Sequence, residues 1–491
     1  MKTSSFGIAA IFCLMIAFMT NVYAKVIEAE LLQSAFSTED FVLDVEKKIR
    51  NPKGMEFDNQ GNFLFIANMW GDSPKEAYVT VMDTEKFEVL ERIDLPNGYY
   101  SRSREHANGM VEVTITEDNR FALVSRLQGC GRGGCGGINS GPAETNGQGL
   151  INVIDIHTKK PVMYISSGGS GSKVMGVKPG TTKGYITNWF SNNIGVFDFG
   201  DAYTIDPDTD EPIYAEKAKT KKIQFPSGSA PRGLAFSPSG KYMFVIGFSS
   251  KVLYIVDTDT DRIIATSSRL SRFNLRHMVT NNDRTLGYLS HMQGSGISKV
   301  DLVKAEAYLS ELNHKRNNRL TQKFWKHIFI PWKTAEDKTT NIMVLKEYPK
   351  DHPDRPNKLY GRAGPNTIAL DRSNNCYLYV SFRSGNINGT QALSKGKVDV
   401  LDVCNDRRVI GLIAGKGTTA LAATHNGKIL AASGFFDSTI WFYDIAKIKS
   451  EYEQRYGVPS MQRPEPEPKS EPKAEPKAEP KAEPKSEPKP E

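Results

Sequence analysis

The sequence predicts an all-β fold: a β-propeller of about seven blades, with an N-terminal strand closing the last blade and a disordered Pro-rich C-terminal tail. Three observations predict it. A strand, turn, strand, turn, strand pattern recurs about seven times, each third strand ends at or near an aspartate, and the last copy stops one strand short of a full unit.

The elements follow in chain order. Residues 1–24, MKTSSFGIAAIFCLMIAFMTNVYA, carry a lone basic residue Lys2, an apolar run from Ile8 to Met19 and a Val22-Tyr23-Ala24 end. This reads as a signal peptide cleaved after Ala24, giving an exported, secreted or periplasmic chain that begins at Lys25. About a dozen apolar residues are short for a bilayer span, and no later segment is longer, so no transmembrane segment is expected after signal removal.

The propeller is read at 25–445. FVLDV (41–45) comes first, followed by copies at PKGMEFDNQGNFLFIAN, ANGMVEVTITEDNRFALVS, KVMGVKPGTTKGYITN, PRGLAFSPSGKYMFVIGFSSKVLYIVDTDTDRIIAT, RHMVTNNDRTLGYLSH, PNTIALDRSNNCYLYVS and TALAATHNGKILAAS. Alternating β-branched and aromatic residues mark strands, and Gly, Pro, Asn and Asp mark the turns between them. The third strands YVTVMD, LINVIDI, IGVFDF, VLYIVD, ISKVDL, VDVLDV and TIWFYD match as well. A four-stranded antiparallel unit repeated in this way is a propeller blade. The last copy supplies three strands before Asp444, and 41–45 completes its blade.

The stretch YITN at 185–188, the Ser191-Asn192-Asn193 corner, GVFD at 195–198 and the copy at 231–266 resemble YVTN-type repeats. That family forms seven-bladed, often secreted or periplasmic propellers, and includes surface-layer proteins, lactonase-like proteins and parts of haem or quinone enzymes. The resemblance therefore implies the fold and leaves the function open.

After the propeller, 446–463 reads as a short linker with helical character. The tail, 464–491, repeats Glu-Pro-Lys-Ala/Ser and has no large apolar residue. Such a segment cannot build a core and extends as a stiff polyproline-like spacer of about 90 Å. With +1 in the leader and −2 in the tail, a chain of net charge +7 leaves +8 on the body. That is mildly basic, without the concentrated stripe of a nucleic-acid binder, so no nucleic-acid partner is expected.

Cys13 leaves with the leader, and four cysteines remain in an oxidising compartment, where two disulfides are the default. Cys130 and Cys135 lie in GCGRGGCGG, where glycine permits a small ring; metal ligation and free thiols remain open there. Cys376 and Cys404 belong to one antiparallel register, the same that sets Phe382 opposite Val398, so a cross-strand bridge is expected. No Cys-x-x-Cys-His is present for covalent haem, and the Gly run lacks a phosphate loop's context. Asn388-Gly389-Thr390 fits the N-glycosylation pattern, used or unused.

Propeller topology puts the loops entering each innermost strand and those joining strands two and three on one face. His106, Arg232, Arg276, His277 and His291 fall there, with Trp189 and the long loops 127–149 and 383–396. The histidines His106, His277 and His291 are candidate metal ligands or bases, although a lone histidine in a loop or at a strand end is more often a hydrogen-bonded structural residue. Arg232 and Arg276 suit a carboxylate or lactone, or a structural ion pair. On the other face, 303–341 is a basic, aromatic insertion in blade five with a charge of +4 and with Phe324, Trp325 and Trp332 interleaved. It reads as a partner-contact patch or as packing onto the blade. DPDTDEP (206–212) lacks the glycine and closing glutamate of a calcium loop and reads as a turn.

Two functions remain. The first is a binding or scaffold protein at the cell envelope or outside the cell, meeting a protein or envelope component through its loops and tail. The second is a lactonase-like hydrolase or metal/quinone-dependent oxidoreductase with its site at the channel.

Overall fold

Seven antiparallel sheets follow one another along the chain, and each begins with a strand that lines a common centre. The computed structural model describes residues 42–46, 49–69, 78–95, 109–127, 149–200, 204–205, 212–213, 215–216, 220–270, 274–292, 296–312, 318–320, 324, 327–330, 332–333, 339–340, 343–344, 365–382 and 395–460. The leader, His106, the Cys130 and Cys135 loop, the 206–211 turn, Asn388 and the Glu-Pro-Lys tail lie outside the described residues.

The inner strands are Pro52–Phe57, Met110–Ile115, Ser172–Val177, Pro231–Phe236, Asn274–Thr280, Pro365–Leu370 and Thr418–Ala423. Side-chain hydroxyls link neighbours around the ring. Thr187 Oγ1 donates to the Arg232 carbonyl at 2.9 Å, Thr367 Oγ1 to Thr419 at 2.6 Å, and Thr419 Oγ1 to Pro52 at 3.3 Å. The last contact joins the seventh blade to the first. That seventh blade has strand order Val42–Glu46, Thr439–Asp444, Ile429–Gly434, Thr418–Ala423, with Val45 opposite Trp441. The two ends of the propeller chain are thus hydrogen-bonded into one sheet, which leaves no open seam in the ring.

The aspartates that close the third strands have one physical job. Asp83 accepts the backbone N–H of Lys86, Asp155 that of Thr158, Asp198 that of Gly200, Asp257 that of Thr260 and Asp402 that of Asn405, at 2.8–2.9 Å. Each carboxylate thereby satisfies a turn amide that the ladder has just released. In the two remaining blades the same residue caps a helix. Asp301 accepts from Lys304 N at the start of α1 (Leu302–Ser310), and Asp444 from Lys447 N at the start of α2 (Ile445–Tyr456).

Both faces of a blade are covered by its neighbours, so strands such as Phe121–Arg126 and Tyr242–Gly247 are buried at every position. An apolar cluster fills each blade-to-blade interface. Phe244 and Ile246 of blade four pack with Leu275 and Leu289 of blade five, and Phe65 and Val79 of blade one with Met110 and Val124 of blade two. Each fully buried side chain of this size contributes about 1.5–3 kcal/mol.

The outer edges differ from a plain four-stranded repeat. Blade two gains Ala215–Glu216, and blade four gains Asn318–Leu320, each added parallel to its outermost strand. In blade five the insertion and the residues just after it supply outer pairing: Phe329–Ile330 and Met343–Val344 both lie against Gly296–Asp301. Helix α1 turns Leu302, Ala305 and Leu309 inward onto the same cluster as Phe324 and Ile328, so this stretch of the insertion packs onto the propeller. The side chains of Trp325 and Trp332 lie outside the described residues.

Cys376 and Cys404 form a disulfide with a Cα–Cα distance of 5.3 Å. The expected register was one residue out, because Phe382 pairs with Lys397, not Val398, and Tyr377 with Asp402. The bridge closes because the ladder ends at Asp402. Beyond it Val403 N donates to the Cys376 carbonyl, and the Asp402 turn brings Cys404 back over the strand end. Helix α2 then docks on this blade: Lys449 Nζ donates to buried Asp371 at 2.7 Å, Tyr452 Oη to Asp402 at 2.8 Å, and Tyr377 Oη to Glu453 at 2.9 Å. Among the described residues no helix is long and apolar enough to cross a membrane.

Candidate functional site at the channel mouth

Every inner strand breaks register against the second strand near its start, after the first residue in six blades and after the second in blade five. The irregularity falls at Pro52/Gly54, Met110/Val113, Ser172/Met175, Pro231/Leu234, Leu275/Met278, Pro365/Ile368 and Thr418/Leu421. A β-bulge re-aims the residues it carries. Five blades cap the loosened backbone with a hydroxyl from the second strand. Ser125, Thr187, Ser290 and Ser381 accept from Glu112 N, Val174 N, His277 N and Thr367 N, and Ser433 accepts from Ala420 N. Blades one and four lack the hydroxyl and place Gly54 and Gly233 at that position. A Cβ on Gly54 would stand 2.3 Å from the Val111 carbonyl oxygen, so the neighbouring inner strand excludes any side chain there.

The bulge places one residue per blade at equivalent positions around the mouth: Lys53, Val111, Lys173, Arg232, Arg276, Asn366 and Thr419. Four of these are cationic, and all four are almost fully buried. Three of them, Lys173, Arg232 and Arg276, come from consecutive blades. The Lys173 ammonium lies 5.5 Å from the centroid of the Trp189 ring and the Arg232 guanidinium 5.1 Å from it, with Phe248 5.9 Å from the same guanidinium. Trp189 is held in place between Phe190 and Phe248. Arg276 Nη1 approaches Met292 Sδ at 3.6 Å.

The electrostatics follow from this crowding. Burial pulls the Lys173 ammonium down from 10.5 to about 7; Arg232 and, to a smaller degree, Arg276 push the same way, with Glu112 opposing them. Burial likewise holds His277 neutral down to about pH 3, reinforced by Arg276 and Arg232. Deeper in the channel, burial raises the Glu56 carboxyl to about 7, with Arg372 partly offsetting it. The channel is thus cationic at the mouth and carries acidic side chains further in.

Of the residues singled out by sequence, Arg232, Arg276 and His277 come together here. His291 does not join them. It is 2% exposed inside its blade, where Nε2 meets Ser298 Oγ at 2.8 Å, and burial alone lowers it to about 4. In blades one and three Asn68 and Asn188 occupy the same strand-end position and also reach across to the third strand, through Thr80 and Asn193. His106 and Asn388 lie outside the described residues. Among the described residues no group of three His, Cys, Asp or Glu side chains could hold a metal ion. Lys53, Lys173 and Glu112 were missed by sequence reasoning. The second residue of each inner-strand copy was the signal that would have found the two lysines.

No family model matches the chain. Antigen Lp49 of Leptospira interrogans (serogroup Icterohaemorrhagiae, serovar copenhageni, strain Fiocruz L1-130) is 26% identical over 447 residues, which covers 85% of this chain and 78% of that protein. Among solved structures, the β-propeller domain of Myceliophteria thermophila Cps50 (Swd1) superposes with a TM-score of 0.52 at 12% identity, covering 82% of this chain and all of that one. Kuenenia stuttgartiensis hydrazine synthase gives 0.51 at 16% identity, covering 82% and 97%. These two likenesses are of fold alone.

Proposed function

We propose that the protein is an exported propeller that acts as a binding or scaffold protein at the cell envelope or outside the cell, with its ligand contacts on the face where the channel mouth opens. The observation that carries this reading is the gathering of four buried cations by the seven bulges around one aromatic-lined mouth. Buried like charges are a cost to folding, and their concentration in a concave site points to binding. The Cys376–Cys404 bridge fits an oxidising compartment, and the similarity to a leptospiral antigen over most of the chain is in keeping with a binding role there. The tail, 464–491, then serves as a spacer.

The enzyme reading would use His277 as a base beside Arg232 and Arg276. A group whose conjugate acid has a pKa of about 3 lies far from the value at which general-base catalysis works near neutral pH, which favours the binding reading.

The test has two parts. N-terminal sequencing of protein recovered from envelope and medium should find Lys25 first; protein retained in the cytoplasm with its leader intact would refute export. Binding of purified protein to washed envelopes of its own cells should fall for the Arg232→Ala/Arg276→Ala double variant and hold for Arg372→Ala near the opposite end of the channel. The reverse ranking would refute the placement.

A further inference from the structure

We infer that Glu117 and Arg284 form a latch across the far end of the channel, which makes the channel a blind pocket that small solutes enter and leave by its mouth alone. This goes beyond the binding reading and does not depend on what the mouth takes.

The inner strands do not fill the axis by themselves. Thr114, Gly176, Val279 and Ala369 lie within them and are only half-buried, although neighbouring blades cover both faces of each sheet. Their remaining exposure is toward the axis, which is therefore open beside them.

At the far end, a turn after each inner strand returns the chain to the second strand. The blade-two turn carries Glu117 and the blade-five turn Arg284, and Arg284 Nη1 donates to Glu117 Oε1 at 3.2 Å. Blades two and five are three steps apart around the ring in one direction and four in the other, so this contact crosses the axis. The second carboxylate oxygen of Glu117 accepts from Gly180 N of blade three, also at 3.2 Å. Both turns are braced by their neighbours. Asn59 of blade one donates from Nδ2 to the Thr116 and Glu117 carbonyls at 3.0 and 3.1 Å, and Asn282, in the Arg284 turn, donates from Nδ2 to the Arg372 carbonyl of blade six at 2.7 Å. The two side chains are thus held on fixed supports on opposite sides of the opening.

Arg284 keeps this place against its own backbone preference. In the other six blades the residue at positive φ in this turn is a glycine (Gly61, Gly180, Gly240, Gly427) or an asparagine (Asn119, Asn375), the types that adopt the left-handed region most readily. Arginine at φ 57° is strained there, and its Nε is buried with no acceptor among the described residues. A turn shaped for stability alone takes glycine or asparagine. Strain kept in one blade, with the guanidinium reaching across the axis, marks a residue held for what it closes.

Labelling of a thiol set in the channel wall tests this. Ala369→Cys lies one residue from the end of its inner strand, close to the far opening. Uncharged N-ethylmaleimide reports access to it in the full mature chain, with the parent protein as background. Adding Arg284→Gly should leave the urea midpoint no lower and speed labelling at least about tenfold. Arg284→Asn, with the residue that blades two and six use, should do the same. In the latched chain, raising salt from about 0.01 M to about 1 M screens the ion pair and should speed labelling, and neither variant should respond. Equal labelling rates with and without Arg284, or a salt response that survives its removal, would overturn the latch. The two proposals fail separately: labelling needs no partner, so loss of envelope binding leaves these outcomes untouched, and an open far end leaves the envelope test standing.

Discussion

Lys173 and Arg232 stand on adjacent inner strands and face the same indole, the ammonium 5.5 Å and the guanidinium 5.1 Å from the centroid of Trp189. Two cations sharing one aromatic ring repel each other, and the lysine, the group able to lose its proton, yields.

The first prediction follows from that. Unfolded, Lys173 holds its proton up to about 10.5, and folded it loses it near 7. Between these values the unfolded chain binds the extra proton, so stability from this residue rises with pH and is lowest at and below about pH 7. Lys173→Met should therefore be more stable than the parent near pH 6, and the gap should close toward pH 10. Urea midpoints at the two ends of this range measure it, and a variant less stable than the parent near pH 6 would contradict it.

His291 follows the same rule in a more acidic window. Folded, it stays neutral down to about 4, against 6.5 unfolded, so acidification through that window costs stability. His291→Asn should keep stability near pH 7 to within about 1 kcal/mol, because Asn68 and Asn188 fill the same position in other blades, and should lose less on acidification. His291→Leu removes the contact between the ring Nε2 and Ser298 Oγ and should cost about 1–3 kcal/mol. If the asparagine variant were as damaged as the leucine one, the strand-end role would be wrong.

The Cys376–Cys404 bridge closes a sequence separation of 28 residues. Its loss should cost about 3–4 kcal/mol through the freed unfolded chain. Denaturant melts of the parent with and without dithiothreitol, compared with Cys376→Ser/Cys404→Ser, report it. Reduced parent and double variant should coincide below the oxidised parent; three equal midpoints would show that the bridge does not hold the blade.

Ring closure gives the fourth prediction. A chain beginning at Ile49 lacks Val42–Glu46, so the Thr439–Asp444 edge loses its partner. Exposed edges invite association, and this chain should aggregate and digest faster than the full one. Adding a peptide of residues 40–48 should restore protease resistance by strand addition. A shortened chain as monomeric and resistant as the parent would show that closure by this strand is dispensable.

The sequence by itself determined the blades. Alternation, turn residues and terminal aspartates are local signals, since an Asp side chain reaches its own turn amides two or three residues on, as Asp257 does with Asp259 and Thr260. The closing strand was legible because three strands cannot complete a four-stranded unit. The Cys376–Cys404 pair was legible to within one residue, and the slip lay where the ladder ends and the chain turns, which the ladder's arithmetic does not describe. Tertiary structure alone decided which charges meet. Lys173, Arg232 and Arg276 are far apart in sequence, and only closing the ring with a bulge in every inner strand turns them onto one mouth. His277 and His291 sit 14 positions apart in one blade, yet one lines the channel and the other lies between strands, because an inner strand's bulge faces the centre while a second strand's end faces its neighbour. Burial then set their ionisation: a lysine that sequence reads as charged is half-neutral near pH 7 once two guanidinia and an indole surround it.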